Sequence, residues 1–156
     1  MSEPRTIEGE AGARGQRVAI VAARFNDFIV ASLLQGATAA WAERGGAPTD
    51  LAVIRVPGAF ELPLAAKKLG ASGRYDAVVA LGCVIRGDTP HFEYVAGECA
   101  RGLQQASLET GVPIAFGVLT VETVDQALER AATNAGNKGG EAMETALEMA
   151  ALLGRL

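Results

Sequence analysis

Continuous apolar runs alternate along this chain with segments in which apolar residues recur at helical spacing. The apolar runs cover residues 18–22, 51–56, 75–85 and 112–119. Runs of this length, rich in β-branched residues and bounded by glycine, proline or polar residues, predict β-strands. Because they do not alternate between apolar and polar residues, they predict strands buried on both faces of a sheet.

The segments between and after these runs predict helices over residues 28–41, 59–69, 91–110, 124–132 and 141–153. Gly45-Gly46 ends the first of these helices, and the run Asn137-Lys138-Gly139-Gly140 is expected to break the last two apart. Helices of ten or more residues between strands are the crossovers that parallel pairing requires. The pattern therefore predicts an α/β fold, with a four-stranded parallel sheet and helices on both faces.

Right-handed crossovers bring every strand-to-helix turn to one edge of such a sheet, where ligands of open α/β sheets bind. The four turns predicted to meet there are Arg24-Phe25-Asn26-Asp27, Pro57-Gly58-Ala59-Phe60-Glu61, Arg86-Gly87-Asp88-Thr89-Pro90-His91 and residues 120–122.

Two readings are open for each of the first two turns. Phe25 either stacks on a flat ligand or folds back as a hydrophobic staple for the next helix. Gly58 would let a ligand approach the backbone, with Phe60 as a wall of the site and Glu61 accepting hydrogen bonds from hydroxyl groups. Alternatively, Glu61 is an ordinary first-turn carboxylate that favours the helix dipole.

The third turn carries the most chemistry. Gly87-Asp88-Thr89 precedes a long helix, and its backbone N–H groups favour a bound phosphate. The turn lacks the residues of a nucleoside triphosphate loop or a dinucleotide fingerprint. His91 is the only histidine of the chain and the leading candidate for proton transfer near neutral pH, unless its imidazole merely meets solvent.

Three further residues lie late in the chain. Arg130 and Lys138 flank a break rich in glycine and asparagine, as an anion site or as a solvated basic helix end. Neither has a partner at the favourable Glu-to-Lys helical offset. Phe116 is predicted from its pattern to be a buried strand residue.

The chain has 156 residues, a formal net charge of −4 and scattered basic residues. We expect one domain over residues 16–156, preceded by an N-terminal arm over residues 1–15. The negative net charge argues against nucleic acid and membrane partners. The sequence shows no membrane-spanning or signal segment, so we expect a cytoplasmic protein. Cys83 and Cys99 have no paired spacing and are expected to be buried thiols.

Five motifs in order resemble the lumazine synthase family from residue 18 onward. They are Ala23-Arg24-Phe25-Asn26, Val56-Pro57-Gly58-Ala59-Phe60-Glu61-Leu62-Pro63, Leu81-Gly82-Cys83-Val84-Ile85-Arg86-Gly87-Asp88-Thr89-Pro90-His91-Phe92-Glu93-Tyr94-Val95, Phe116-Gly117-Val118-Leu119-Thr120 and Gly136-Asn137-Lys138-Gly139. The chain departs from the family at Cys83, often Thr or Ala there, and at Ala132-Thr133-Asn134, often Gly-Thr-Lys.

The resemblance implies a flavodoxin-like three-layer fold and the penultimate step of riboflavin biosynthesis. In that step 5-amino-6-(D-ribitylamino)uracil condenses with 3,4-dihydroxy-2-butanone 4-phosphate to 6,7-dimethyl-8-ribityllumazine, phosphate and water, without cofactor or metal. By resemblance, His91 is catalytic and Asp88, Thr89, Arg130 and Lys138 bind phosphate. The implied pyrimidine and ribityl contacts are Phe25, Asn26, Gly58, Ala59, Phe60, Glu61, Cys83, Val84, Ile85 and Phe116.

The resemblance also implies a homo-oligomer built from pentamers, as free pentamers, decamers or icosahedral shells of sixty chains. In related proteins the residue at Phe116 reaches the neighbouring subunit's pocket. Residues 132–138 carry no insertion of the kind associated with free pentamers, and the arm could add a strand to a neighbour, so we favour the shell. Riboflavin synthase is a further expected partner.

Two other functions are compatible with the predicted fold. A flavodoxin-like receiver module would need clustered acidic residues after the first strand, where this chain has Arg24-Phe25-Asn26. A catalytically silent relative, kept as a flavin binder or shell protein, would be expected to lose His91 or Arg130, and both are present.

Overall fold

The computed structural model describes residues 2–132 and 136–156. Its four strands are β1 (Val18–Ala23), β2 (Leu51–Val56), β3 (Ala77–Ile85) and β4 (Ile114–Val121). Its five α-helices are α1 (Asp27–Glu43), α2 (Leu62–Ala71), α3 (His91–Thr110), α4 (Val124–Arg130) and α5 (Lys138–Leu153). All strand pairs are parallel, in the order β2-β1-β3-β4. The predicted four-stranded parallel sheet is confirmed, in the doubly wound order of flavodoxin-like folds.

Helices cover both faces of the sheet and make two cores. On one face α1, α4 and α5 pack against residues such as Ile20 and Val79, and on the other α2 and α3 pack against Val21 and Val78. Successive strand residues point to opposite faces, so each central strand supplies both cores. This explains why β1 and β3 read as continuous apolar runs.

The expectation that every strand is buried on both faces is wrong for β2. This strand lies at the edge of the sheet, only Val56 in it is fully buried, and Val53 is exposed. An edge strand has a neighbour on one side alone, so part of its apolar surface stays accessible. Arg55, a charged residue within the run, is exposed and is typical of such an edge.

The segment before β1 packs against α5 and the C-terminal residues of the same chain. Gly9 sits so close to the α5 backbone at Glu148 that a Cβ would not fit, Arg155 donates a hydrogen bond to the Glu8 carbonyl at 2.6 Å, and Ala13 is buried. That residues 1–15 act as an arm toward a neighbouring subunit stays a prediction.

The last two helices are separate as predicted, since α4 ends at Arg130 and α5 begins at Lys138, but the prediction that residues 137–140 all lie in the break is wrong. The Asn137 side chain accepts hydrogen bonds from the N–H groups of Gly139 and Gly140 at 2.8 and 3.0 Å. These bonds satisfy two otherwise free donors of the first turn and allow the glycines to be helical. Gly139 is also pressed against the Leu33 backbone, which leaves no room for a side chain.

Candidate functional site

A cleft of about 700 Å³ opens at the carboxyl ends of β1, β2 and β3. This is the sheet edge where the sequence predicts the ligand site. The cleft is lined by Phe25, Asn26, Pro57, Gly58, Ala59, Phe60, Glu61, Cys83, Val84, Ile85, Gly87, Thr89, His91, Phe92, Tyr94 and Val95. Eleven of the predicted site residues are therefore brought together: Phe25, Asn26, Gly58, Ala59, Phe60, Glu61, Cys83, Val84, Ile85, Thr89 and His91.

Phe25 presents its ring to this cleft. Its side chain is 71% exposed, which does not fit the alternative in which the ring folds back as a hydrophobic staple. The backbone N–H of Phe25 donates to the Pro57 carbonyl at 2.9 Å, which ties the first turn to the second. The next residue, Asn26, has a left-handed backbone with φ 62°. An exposed ring on a fixed backbone can stack on a planar ligand.

The second turn places Gly58 between Phe25 and Glu61. A Cβ on Gly58 would lie 3.3 Å from Glu61 Oε1 and 3.9 Å from the Phe25 Cβ. A side chain at this position would therefore crowd the Glu61 carboxylate next to Phe25. Phe60 is exposed and forms part of the wall.

The end of β3 forms the floor of the cleft. Cys83 and Val84 are buried, Ile85 is half-buried, and the Cys83 carbonyl accepts a hydrogen bond from the Asn26 side-chain amide at 2.7 Å. Burial raises the pKa of Cys83 to about 11. The Cys83 thiol is therefore neutral near pH 7 and unsuited to nucleophilic attack.

His91 is the first residue of α3, a helix of 20 residues, and its side chain is exposed at the cleft. The exposed loop of residues 86–90 leads into it. The free N–H groups and dipole of a helix start favour an anion beside this histidine. The cleft thus combines a proton-transfer group with a region that suits phosphate.

A second cleft of about 460 Å³ lies along β4, the other edge strand. It is lined by residues 115–121 of β4 and by Arg130, Lys138, Glu141, Ala142 and Thr145. Among the residues that the structure describes, the two clefts share no lining residue. Three predicted site residues, Phe116, Arg130 and Lys138, therefore lie together but apart from His91 within one chain.

Phe116 is 49% exposed, so the prediction of a buried strand aromatic is wrong. As in β2, the edge position of β4 accounts for the difference, because no further strand in the described part of the chain lies beyond it. The ring is available to whatever lies against this edge.

Arg130 and Lys138 are both exposed in the second cleft. Arg130 Nη1 donates to the Gln126 carbonyl at 3.0 Å, and Lys138 Nζ lies 3.2 Å from Glu141 Oε2. The sequence reading missed this last pair, because it sought only the more favourable order with glutamate first. Glu141 lines the same cleft and offsets one of the two positive charges, and the remaining charge can attract an anion.

Asn137 ties together the backbone next to these two cations. Besides capping α5, its side-chain amide donates to the carbonyls of Ser32 and Ala131, each at 3.0 Å. It thus connects α1, the end of α4 and the start of α5. Residues 133–135 lie outside the described residues. They include Thr133 and Asn134, where the chain departs from the family pattern, and part of the segment 132–138 that was predicted to lack an insertion.

Asp88 lines neither cleft, although it was predicted to hold phosphate. That prediction concerned its backbone amide, and Thr89, the other residue predicted to donate through its amide, does line the first cleft. The predicted contact residues did not include Phe92, Tyr94 and Val95, whereas Pro57 and Gly87 belong to the turns predicted to meet at this edge. A signal was present for two of the three omitted residues: Tyr94 and Val95 lie three and four residues after His91 and so share its helix face.

Across residues 2–132 and 136–156, no group of three or more His, Cys, Asp or Glu side chains could hold a metal ion. In the same ranges, none of the helices is long and apolar enough to cross a membrane.

Comparison with known families gives one match that covers almost the whole chain. A family model described as 6,7-dimethyl-8-ribityllumazine synthase matches residues 15–154.

Proposed function

The chain belongs to the 6,7-dimethyl-8-ribityllumazine synthase family, whose members are transferases of riboflavin biosynthesis, and from this premise we propose its exact reaction. It condenses 5-amino-6-(D-ribitylamino)uracil with 3,4-dihydroxy-2-butanone 4-phosphate to give 6,7-dimethyl-8-ribityllumazine, phosphate and water. The uracil amine forms an imine with the ketone and releases water. Phosphate then leaves, and ring closure releases the second water.

The first cleft holds the pyrimidine and its ribityl chain. Phe25 stacks on the ring, and backbone groups at Val84 and Ile85 hydrogen-bond its polar edge. Glu61 accepts hydrogen bonds from ribityl hydroxyls. The support for these roles is that the exposed ring, the exposed carboxylate and the end of β3 line one cleft, with Asn26, Gly58, Ala59, Phe60 and Cys83 completing it.

The phosphate of the second substrate binds at the start of α3. Backbone amides of Asp88 and Thr89 donate to it, and the helix dipole adds to the attraction. Arg130 supplies a bidentate guanidinium, and Lys138 adds charge nearby. The 20-residue length of α3 and the exposed loop before it support this assignment.

One observation carries the proposal that the active site is shared between subunits. The cations and Phe116 lie on a cleft that has no lining residue in common with the cleft of His91. A phosphate bound beside His91 would meet Arg130 and Lys138 if they came from a neighbouring copy whose β4 edge packs against the first cleft. Oligomerisation is then a condition of activity.

We place this shared site in a pentamer, with residues 16–156 as the catalytic α/β domain and residues 1–15 as an arm toward a neighbour. The assembly we favour is the shell of sixty chains, with riboflavin synthase as a partner. Sedimentation velocity separates the shell from a pentamer or decamer by mass, and a stable monomer that turns over substrate would refute the shared site.

His91 moves protons between the amine, the imine and the leaving groups. Imidazole can donate and accept protons near neutral pH, and general acid–base catalysis of this kind contributes about 10²-fold to 10⁴-fold in rate. The rest of the acceleration comes from holding two small molecules in register.

The test mixes purified protein with both substrates and follows lumazine fluorescence. Formation of the product at a rate proportional to protein concentration is expected. A protein that binds flavin or assembles into shells but forms no lumazine would instead be a catalytically silent relative.

A further inference from the structure

Arg86 lies at the junction between the two clefts without lining either of them. It directly follows Ile85, the last residue of β3, and its backbone N–H donates to the carbonyl of Val121, the last residue of β4, at 2.9 Å. The loop that leads to His91 therefore starts from a point fixed on the β4 edge.

The Arg86 side chain contacts the first turn of α3. Its Cζ lies 4.7 Å from the centroid of the Phe92 ring, and Nη1 lies 3.7 Å from Glu93 Oε1. Phe92 lines the first cleft and directly follows His91. A guanidinium over an aromatic face is attracted by the ring quadrupole and restricts how the ring can move.

The same guanidinium reaches the turn between β4 and α4. Its Nε lies 2.8 Å from Glu122 Oε2, a geometry that suits a charge-assisted hydrogen bond. Arg86 therefore lies between the start of α3 and Glu122 and contacts both.

From Glu122 the contacts continue to Arg130. The Glu122 backbone N–H donates to Gln126 Oε1 at 2.8 Å, and the Gln126 carbonyl accepts from Arg130 Nη1 at 3.0 Å. Gln126 is itself held by Thr123, whose Oγ1 accepts from the Gln126 N–H at 3.1 Å and caps α4. Consecutive contacts thus connect Arg86 to Arg130, one of the two cations of the second cleft.

An exposed ion pair alone would not carry a functional role, because such pairs contribute little to stability. Arg86 differs in that one planar group simultaneously meets a ring and two carboxylates from two separate elements. Lysine could keep the charge but could not reproduce this planar, multiply bonded arrangement.

We propose that Arg86 is a positioning residue for the condensation: it anchors the start of α3, and with it His91 and the phosphate loop, to Glu122 just after the end of β4. The half-site that holds His91 therefore keeps a fixed position relative to the β4 edge, through which the same subunit offers its own Arg130 to a neighbour's site. This inference rests on the proposed function. Arg86 touches no substrate in this account, and its effect is carried by the groups it aligns.

The experiment compares Arg86→Gln, Arg86→Lys and the control Arg74→Gln. The Arg74 Cζ lies 5.7 Å from the centroid of the Tyr75 ring, so replacing Arg74 also removes a guanidinium–aromatic contact. Arg74 precedes β3 and therefore lies at the amino end of the strand, away from both the start of α3 and Glu122. The KM of each substrate, kcat and the melting temperature are measured for every variant.

Arg86→Gln is expected to lower kcat/KM for the phosphorylated substrate about tenfold, since a misplacement of about 1 Å can be that costly or more. The KM of the pyrimidine should stay within about twofold, because its contacts at Phe25, Glu61 and Val84 do not involve Arg86. Arg86→Lys should recover part of the loss, and Arg74→Gln should match the wild type in every kinetic constant.

The proposal fails if Arg86→Gln matches Arg74→Gln in kcat and both KM values, or if both KM values rise equally. It also fails if activity falls only in proportion to lost folded protein and lysine gives no kinetic recovery. Should Arg86→Gln not fold, Glu122→Gln removes the same charged contact from the other side and is expected to raise the KM of the phosphorylated substrate alone.

A binding readout separates this inference from the proposed function. Inorganic phosphate should raise the melting temperature of the wild type more than that of Arg86→Gln. Equal stabilisation of both proteins, together with lumazine formation by the wild type, refutes the role of Arg86 and leaves the reaction standing. A wild type that forms no lumazine refutes the reaction itself.

Discussion

The side-chain amide of Asn26 donates a hydrogen bond to the main-chain carbonyl of Cys83 at 2.7 Å. This bond joins the residue after Phe25, at the end of β1, to the end of β3, and so connects the proposed stacking ring to the proposed uracil-binding backbone. Asn26 also has a left-handed backbone, with φ 62° and ψ 45°, which asparagine tolerates better than most residues.

Replacing Asn26 by alanine should destabilise the protein by about 2 kcal/mol, from the lost hydrogen bond and from left-handed backbone strain. Asn26→Gly also removes the bond, but glycine adopts the left-handed backbone without strain, so this variant should cost about 1 kcal/mol. Denaturant unfolding measures both values, and equal values for the two variants would contradict the backbone part of this explanation. Both variants should raise the KM of the pyrimidine.

His91→Ala should lower kcat about 10²-fold without abolishing turnover, because holding the substrates together does not depend on the imidazole. Steady-state assay of lumazine formation gives the rate, and equilibrium binding of each substrate shows whether the cleft is intact. Complete inactivity in a variant that still binds both substrates would contradict this division of labour.

Arg130→Ala should act mainly through the phosphorylated substrate, because the guanidinium is proposed to hold its phosphate. We expect the KM of that substrate to rise by about tenfold or more, in keeping with the strength of a charge-assisted contact. The KM of the pyrimidine should change little. The control is Arg101→Ala, which removes an exposed arginine paired at 3.9 Å with Glu98 on α3. An equal loss for both substrates would count against the assignment.

The buried thiols predict how stability responds to alkaline pH. Burial raises the pKa of Cys83 and of Cys99 from 9.0 to about 11 in the folded protein. Between these values the unfolded chain loses thiol protons that the folded chain keeps, so the free energy of unfolding falls as pH rises from 9 toward 11. Each thiol contributes up to about 2–3 kcal/mol to this fall.

Cys83→Ala combined with Cys99→Ala tests this dependence, because the other groups that titrate in this range are unchanged. Denaturant unfolding at several pH values should give a shallower decline for the double variant than for the wild type. Parallel curves would show that the thiols do not cause the decline.

The sequence was sufficient to predict the fold because its central strands are uniform apolar runs. The strands were predicted to within a few residues, and α3 has the predicted bounds, His91–Thr110. The cleft of the first three turns followed from chain direction alone, since the carboxyl ends of parallel strands meet at one edge.

The remaining features depend on contacts between residues distant in sequence. Nothing near Asn137 in the sequence shows that its amide meets Ser32, 105 residues away. Periodicity likewise could not show that Phe116 lies on an edge strand, because strand order is set by packing. The separation of Arg130 from His91 within one chain required the structure for the same reason.

The most direct test of the shared site is complementation between two strongly impaired chains. One carries Glu61→Ala and His91→Ala, the other carries Arg130→Ala and Lys138→Ala, and the two are co-expressed with different tags and purified through both. In a ring of randomly mixed chains, about one quarter of the sites would pair an intact first cleft with an intact second cleft. Recovery of about one quarter of wild-type activity is predicted; mixed assemblies no more active than the mean of the two parents would contradict a site built across the subunit boundary.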